Sequence, residues 1–125
     1  MKVLVVDDFA TMRKIIRNVL KQINLDSVLE AESGKHALNV LKTEEVDLII
    51  SDWIMPEMTG IEFLKACKED DNLKKIPFIM VTAEAQKANI LEAIKSGVDN
   101  YIVKPFTPDK LKEAIDKACA RIAKQ

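Results

Sequence analysis

The segment Val3-Leu4-Val5-Val6-Asp7-Asp8 joins a short apolar run directly to two adjacent carboxylates. A run of this kind, without polar alternation, is typical of a strand that is buried on both faces of a sheet. Comparable runs occur at 46–50 and 77–81, and weaker strand candidates lie at 28–29 and 101–103. Apolar residues at helical spacing separate successive runs, so the chain alternates between strands and helices.

This alternation predicts an α/β fold with five strands, in which five helices cover both faces of a parallel sheet. Right-handed crossovers restrict such a sheet to a doubly wound form. The last helix is predicted to open at Thr107-Pro108, which supplies an N-cap hydroxyl and a proline for the first helical position. In sheets of this kind, ligands bind at the carboxyl ends of the strands, near the point where the strand order switches.

Length and composition fit one globular domain over residues 1–125, and we expect no output domain. The chain has 125 residues, 48% of them apolar and 31% charged, which excludes disordered and fibrous classes. Its 19 basic and 20 acidic side chains nearly cancel, which argues against nucleic-acid binding through bulk positive charge. No apolar run approaches the roughly 18 residues that span a bilayer, and no targeting segment is visible. Cys67 and Cys119 lack a zinc-type spacing and are expected to be reduced thiols, which favours a cytoplasmic protein. We also expect a monomer.

Polar side chains follow the predicted strands at the edge where a ligand would bind. Asp7 and Asp8 follow the first strand, Ser51 and Asp52 the third, Thr82 the fourth and Lys104 the fifth. Carboxylates about 4 Å apart repel by on the order of 4 kcal/mol per pair at an effective dielectric constant near 20. The cluster therefore suits a cation, and a donor set made only of oxygens favours Mg²⁺.

Thr82 and Lys104 indicate that an anion joins the metal. A hydroxyl and an ammonium are superfluous for a bare cation site, but both can hold phosphoryl oxygens. The combination predicts phosphoryl transfer to or from a carboxylate. A single acid at a strand end is an ordinary helix-start signal, so this prediction depends on the whole set.

With these residues in place, the sequence resembles the receiver domains of two-component response regulators along its whole length. The matching residues are Val6-Asp7-Asp8, Asp52 with Met55-Pro56 and Gly60, Thr82-Ala83, and Lys104-Pro105-Phe106. The resemblance implies a flavodoxin-like sheet of strand order 2-1-3-4-5. Other stretches are similar to chemotaxis members of the family, among them Ser51-Asp52-Trp53 and Tyr101-Ile102-Val103.

The resemblance also implies roles for the polar residues that follow the predicted strands. Asp52 would accept a phosphoryl group from a phosphohistidine of a sensor histidine kinase of the chemotaxis type. Mg²⁺ would be held by Asp8, Asp52 and the backbone carbonyl of Ile54, with Asp7 acting through a water molecule. The protein would catalyse its own phosphorylation and dephosphorylation without being a turnover enzyme, and a separate phosphatase is a possible further partner.

Residues after the last two strands carry further implications of the resemblance. Thr82 and Lys104 would contact the phosphoryl oxygens, and the Lys104–Pro105 peptide would be cis. Thr82 would move toward the new anion and Tyr101 would turn inward, which would change the surface formed by the fourth helix, fifth strand and fifth helix. We expect this surface to bind the flagellar motor switch through Lys87, Ile90, Ile94, Tyr101, Val103, Phe106 and Lys110.

Three alternatives remain open from the residues. A haloacid-dehalogenase-like phosphatase would carry the phosphoryl group on Asp7, but its two acids are normally separated by one residue. A flavodoxin-like cofactor binder would need a Ser/Thr/Gly-rich loop after the first strand, where this chain has Asp7-Asp8. A receiver in a phosphorelay or another non-motile pathway would have the same active site.

The chain departs from some chemotaxis members at Ile54, where they have a polar amide. We expect this apolar side chain to alter how water reaches the acyl phosphate, and so to alter its lifetime.

Overall fold

The computed structural model describes residues 1–83, 87–104 and 106–123, without the side chains of residues 87–90 and 121–123. The strands are β1 (Lys2–Val6), β2 (Ser27–Ala31), β3 (Leu48–Asp52), β4 (Phe78–Thr82) and β5 (Asn100–Val103). The helices are α1 (Ala10–Gln22), α2 (Gly34–Thr43), α3 (Gly60–Glu69), α4 (Lys87–Lys95) and α5 (Pro108–Ala123).

The five strands form one parallel sheet in the order β2-β1-β3-β4-β5, which confirms the predicted fold. β1 pairs with β2 on one side and with β3 on the other, so the strand order reverses at β1. The register places Val6 opposite Ser51, Asp52 opposite Val81, and Thr82 opposite Val103. The carboxyl ends of β1, β3, β4 and β5 therefore lie at one edge of the sheet.

The core has two halves, one on each face of the sheet. Leu4 and Val6 of β1 pack in the first half, whereas Val3 and Val5 pack in the second. This division follows from the pleat, because successive side chains of a strand point to opposite faces. Burial of each large aliphatic side chain contributes roughly 1.5–3 kcal/mol, and the two halves of the core thereby stabilise the sheet whose carboxyl edge carries the polar residues.

The strand boundaries differ from the sequence prediction in a way that matters for the site. The third strand was expected at 46–50, but β3 begins at Leu48 and ends at Asp52. Val46 is buried all the same, at 7% exposure, although it precedes the strand. β3 is longer at its carboxyl end because Asp52 pairs with Val81 of β4, and Asp52 is therefore fixed by the sheet instead of by a loop.

Side-chain caps define several helix starts. Thr59 and Glu62 form a reciprocal capping box at the start of α3. The Thr107 hydroxyl accepts a hydrogen bond of 3.2 Å from the Lys110 N–H, which confirms the predicted cap of α5. The C-terminal residues 124 and 125 lie outside the described residues, so α5 is followed only as far as Ala123.

Candidate phosphoacceptor and metal site

The carboxyl ends of β1 and β3 bring three acidic side chains together. One carboxylate oxygen from each of Asp7, Asp8 and Asp52 lies within 4.8 Å of the others. Asp7 is 1% exposed and Asp52 is 9% exposed, so two of the three carboxylates are withdrawn from water. The predicted cluster therefore forms, and it forms in a setting where charge repulsion is poorly screened.

Lys104 supplies the positive charge of the cluster. Its Nζ lies 3.3 Å from Oδ1 of Asp52 and 3.4 Å from Oδ2 of Asp7. The Lys104 backbone N–H also donates to the carbonyl of Thr82 at 2.8 Å, which places the residue directly beyond β5 and beside the end of β4. Thr82 is the last residue of β4 and is 4% exposed. The ammonium therefore bridges two of the acids across the end of β4.

Asp52 has a carboxylate whose charge is only partly compensated. Burial raises the pKa of Asp52 above its ordinary value of 3.8, the Lys104 ammonium opposes this increase, and the neighbouring charge of Asp7 adds to it. The Trp53 N–H donates to Oδ1 of Asp52 at 2.9 Å. Fixed donors thus orient the Asp52 side chain, while burial and Asp7 keep its negative charge unfavourable. A carboxylate in such a setting is suited to bind a cation or to react as a nucleophile.

Asp8 provides the most direct sign that a cation fits the cluster. Its Oδ1 atom is buried and has no hydrogen-bond partner among the described residues. A buried carboxylate oxygen without a partner is unfavourable, because it has lost its water without gaining another donor. A cation held by Asp8 would satisfy this oxygen, and an all-oxygen donor set suits a hard ion such as Mg²⁺. The residues present therefore fit the predicted metal.

The loop from β3 to α3 is held against the site by a close backbone approach. The Gly60 N–H donates to the Trp53 carbonyl at 2.8 Å. A Cβ atom at Gly60 would collide with the Asp52 carbonyl oxygen and would lie 2.8 Å from Sδ of Met80. Only glycine lets the start of α3 approach the end of β3 so closely.

Ser51 and Ile54, which flank Asp52 in the chain, differ in their exposure to solvent. The Ile54 side chain is 64% exposed, so its apolar surface faces solvent close to Asp52 in the chain. Ser51, which also precedes this loop, is fully buried, and its hydroxyl donates to the Asp52 carbonyl at 3.0 Å. Ser51 therefore belongs to the sheet interior and not to the polar rim.

The predicted partner surface is a mixture of exposed and half-buried residues. Ile94 of α4 is 54% exposed and Lys110 of α5 is exposed. Tyr101, Val103 and Phe106 are half-buried. Tyr101 packs against the first half of the core, and Phe106 packs against the second. The surface is therefore neither wholly core nor wholly exposed.

Some predictions fall outside the described residues. The side chains of Lys87 and Ile90 are among these, and so is Pro105, whose peptide bond with Lys104 was expected to be cis.

Arg13 and Glu30 contribute to the site although the sequence patterns gave them no role. Arg13 Nη1 donates to the Asp7 carbonyl at 2.7 Å, and Arg13 Nε donates to Glu30 Oε1 at 3.0 Å. A signal was available in principle, since Arg13 and Arg17 lie one turn apart on α1 and both reach Glu30. The missing information was how the side chains of α1 lie relative to Glu30 on β2.

Comparison with known proteins places these features in a family. The chain matches the response regulator receiver domain family over residues 3–116. It is 48% identical over 122 residues to the chemotaxis protein CheY of Pseudomonas aeruginosa, with 98% of each chain covered. It is 51% identical over 117 residues to a CheY homolog of Campylobacter jejuni, covering 93% of this chain and 90% of that one.

Solved structures agree on the fold. Chemotaxis protein CheY4 of Vibrio cholerae superposes with a TM-score of 0.86 at 34% identity, covering 94% of this chain and 97% of that one. The flavodoxin-like architecture expected from the sequence is thereby confirmed. Among the described residues, no helix has both the length and the apolar character that crossing a bilayer requires.

Proposed function

Since the chain belongs to the response regulator receiver domain family, we propose that it is a signalling switch activated by phosphorylation of Asp52. The observation that carries this proposal is the position of the Asp52 carboxylate, 3.3 Å from the Lys104 ammonium and clustered with Asp7 and Asp8. A nucleophilic carboxylate, a cation for the phosphoryl oxygens and an acidic metal cluster are the parts that phosphoryl transfer to an aspartate requires.

Phosphoryl transfer exchanges a P–N bond of the kinase histidine for a P–O bond on Asp52. An Asp52 oxygen attacks the phosphorus of a phosphohistidine, and a P–O bond forms as the P–N bond breaks. The electron pair of the broken bond stays on the imidazole nitrogen, and a proton taken up from water makes the departing histidine a neutral ring. Water later attacks the acyl phosphate, which restores the Asp52 carboxylate and releases inorganic phosphate.

Mg²⁺ is the cofactor that this cluster would hold, through Asp8, Asp52 and the Ile54 carbonyl, with Asp7 acting through water. When bound, the ion neutralises charge on the phosphoryl oxygens during transfer. The unpartnered buried oxygen of Asp8 supports direct coordination by that residue. Both Asp7 oxygens already accept hydrogen bonds, from Phe9 N–H and from Lys104, which is consistent with an indirect role.

Lys104 and Thr82 have separate tasks in this proposal. The Lys104 ammonium exchanges part of its contact with Asp52 and Asp7 for a phosphoryl oxygen, so the charge of the new anion is met as it arrives. The Thr82 hydroxyl donates to another phosphoryl oxygen and draws the end of β4 with it. Tyr101 then turns inward, and the surface formed by α4, β5 and α5 changes.

The proposed partners follow from the change in the surface formed by α4, β5 and α5, and from the similarity to chemotaxis proteins. The phosphodonor is a sensor histidine kinase of the chemotaxis type, and the receiver of the signal is the flagellar motor switch. Exposed apolar residues of α4, Leu91 at 46% and Ile94 at 54%, support a protein partner at this surface. The protein acts as a cytoplasmic monomer and catalyses only its own phosphorylation and dephosphorylation.

Mass spectrometry tests the site. We expect acetyl phosphate with Mg²⁺ to add one phosphoryl group to the wild-type protein on Asp52, and to add none to Asp52→Asn. Asp26→Asn is a suitable control, because Asp26 is an exposed acid before β2. Modification of Asp7 instead would contradict the proposal and favour a haloacid-dehalogenase-like phosphatase.

A pull-down tests the output. Motor-switch peptide should bind the protein more tightly with Mg²⁺ and beryllium fluoride, a stable phosphoryl mimic, than without them. Phosphorylation of Asp52 without any gain in peptide binding would contradict the motor-switch partner and favour a phosphorelay receiver.

A further inference from the structure

Arg13 links the loop that carries the metal-binding acids to the neighbouring strand. Its guanidinium donates to the Asp7 carbonyl at 2.7 Å and to the Glu30 carboxylate at 3.0 Å. Glu30 lies on β2, where it pairs with Val5 of β1. The Arg13 side chain is only 16% exposed, so these contacts are sheltered from water. The loop after β1 is therefore tied to both α1 and β2.

Every polar atom of Asp7, in the backbone and in the side chain, has a hydrogen-bond partner. Its N–H donates to the Ala31 carbonyl at 3.1 Å, and its carbonyl accepts from Arg13. Its Oδ1 accepts from the Phe9 N–H at 2.9 Å, and its Oδ2 accepts from Lys104 at 3.4 Å. Since Asp8 is the next residue, these bonds hold the backbone directly before the Asp8 side chain.

We propose that Arg13, held by Glu30, is a positioning residue that fixes the loop after β1 so that Asp8 presents its carboxylate to a divalent cation. This inference rests on the proposed function for its consequence at the metal. Arg13 suits the task because its planar fork can donate in two directions at once, whereas the ammonium of lysine is a single point charge. Fixing the orientation of ligands through neighbouring hydrogen bonds is a general determinant of metal affinity.

Arg17 offers a matched control on the same helix. It lies one turn after Arg13 and also donates to Glu30, at 2.8 Å, but its side chain is 54% exposed. Replacement of either arginine by methionine removes one positive charge near Glu30. Charge alone would make both variants bind a cation more tightly, whereas loss of positioning would make only the Arg13 variant bind more weakly. The two explanations therefore predict effects of opposite sign.

The experiment uses two readouts on the full chain. Fluorescence of Trp53, the single tryptophan, measures the dissociation constant for Mg²⁺. Amide hydrogen exchange at Phe9, followed by NMR in the metal-free protein, measures whether its N–H keeps the bond to Asp7. We expect Arg13→Met to weaken Mg²⁺ binding about tenfold and to accelerate exchange at Phe9. We expect Arg17→Met to weaken neither property.

Arg13→Lys separates geometry from charge and also serves if Arg13→Met fails to fold. The proposal expects weaker Mg²⁺ binding in this variant although the charge is retained. It is overturned if Arg13→Lys binds Mg²⁺ like the wild type, or if Arg13→Met matches Arg17→Met in both readouts. If wild-type protein bound no Mg²⁺, the proposed metal function would fail, while exchange at Phe9 would still decide whether Arg13 fixes the loop.

Discussion

The Lys104 ammonium lies 3.3 Å from the Asp52 carboxylate, although 52 positions separate the two residues in the chain. Asp52 ends β3 and Lys104 directly follows β5, so the contact crosses over the end of β4, the strand between them. The same ammonium reaches Asp7 at the end of β1. One cation thus offsets part of the repulsion between two buried acids, and the remainder leaves the site suited to a second cation.

Replacement of Asp52 by asparagine should stabilise the metal-free protein at neutral pH. Burial raises the pKa of Asp52 above 3.8, so the ionised carboxylate is less stable in the folded than in the unfolded chain. The asparagine side chain cannot ionise and avoids this penalty. We expect the free energy of unfolding of Asp52→Asn to exceed that of the wild type near pH 7, measured by urea denaturation in EDTA.

The pH dependence of this difference has a definite sign. Below the unfolded pKa the wild-type carboxyl is protonated in both states, and the penalty appears as pH rises through the folded pKa. The advantage of the asparagine variant should therefore shrink when the pH falls from about 7 to about 4. Asp26→Asn, an exposed substitution, should show no such trend. An advantage that was constant over this range, or that grew toward acid, would contradict the assigned cause.

Gly60→Ala should destabilise the protein by about 1–3 kcal/mol, because the new methyl group would collide with backbone that cannot move aside. Gly34→Ala is the matched control at the start of another helix. There the new Cβ would lie 2.6 Å from Sδ of Met58, which is a flexible side chain that can change rotamer. Thermal unfolding compares the two variants. Equal losses would show that the approach of α3 to Asp52 does not require glycine.

Ile54→Asn should shorten the lifetime of the phosphoryl group on Asp52 several-fold. The side chain is 64% exposed, so the fold should tolerate the change, and an amide can orient water where the isoleucine cannot. Release of inorganic phosphate after removal of acetyl phosphate measures the lifetime. Ile94→Asn changes another exposed isoleucine, on α4, and should leave the lifetime unaltered. The same half-life in Ile54→Asn and wild type would refute this role.

Thr82→Ala should uncouple partner binding from phosphorylation. Couplings between sites are typically about 5–150-fold in affinity, and loss of the hydroxyl removes the contact through which β4 would sense the new anion. Titration of motor-switch peptide, with and without beryllium fluoride, measures the ratio of the two affinities. Thr82→Ser retains the hydroxyl and should preserve much of that ratio. The coupling is absent if Thr82→Ala and wild type give the same ratio.

The order of elements and the identity of the polar residues at the carboxyl edge of the sheet were predicted from the sequence alone. Apolar runs without alternation identify buried parallel strands. Ligands of such sheets bind at the carboxyl ends of the strands, so the residues at those ends are the candidates for the site. Asp7, Asp8, Asp52 and Lys104 were predicted in this way, and the structure brings them together. These signals are local in sequence, so they need no knowledge of which strands become neighbours.

The tertiary structure alone decided how those residues are held. That Arg13 ties the Asp7 carbonyl to Glu30 depends on the side-by-side pairing of β1 with β2, which no spacing along the chain encodes. The requirement for glycine at position 60 likewise comes from the distance between α3 and the end of β3. Sequence patterns specify which face a residue occupies, whereas contacts between distant segments depend on packing, which acts only when the whole domain has folded.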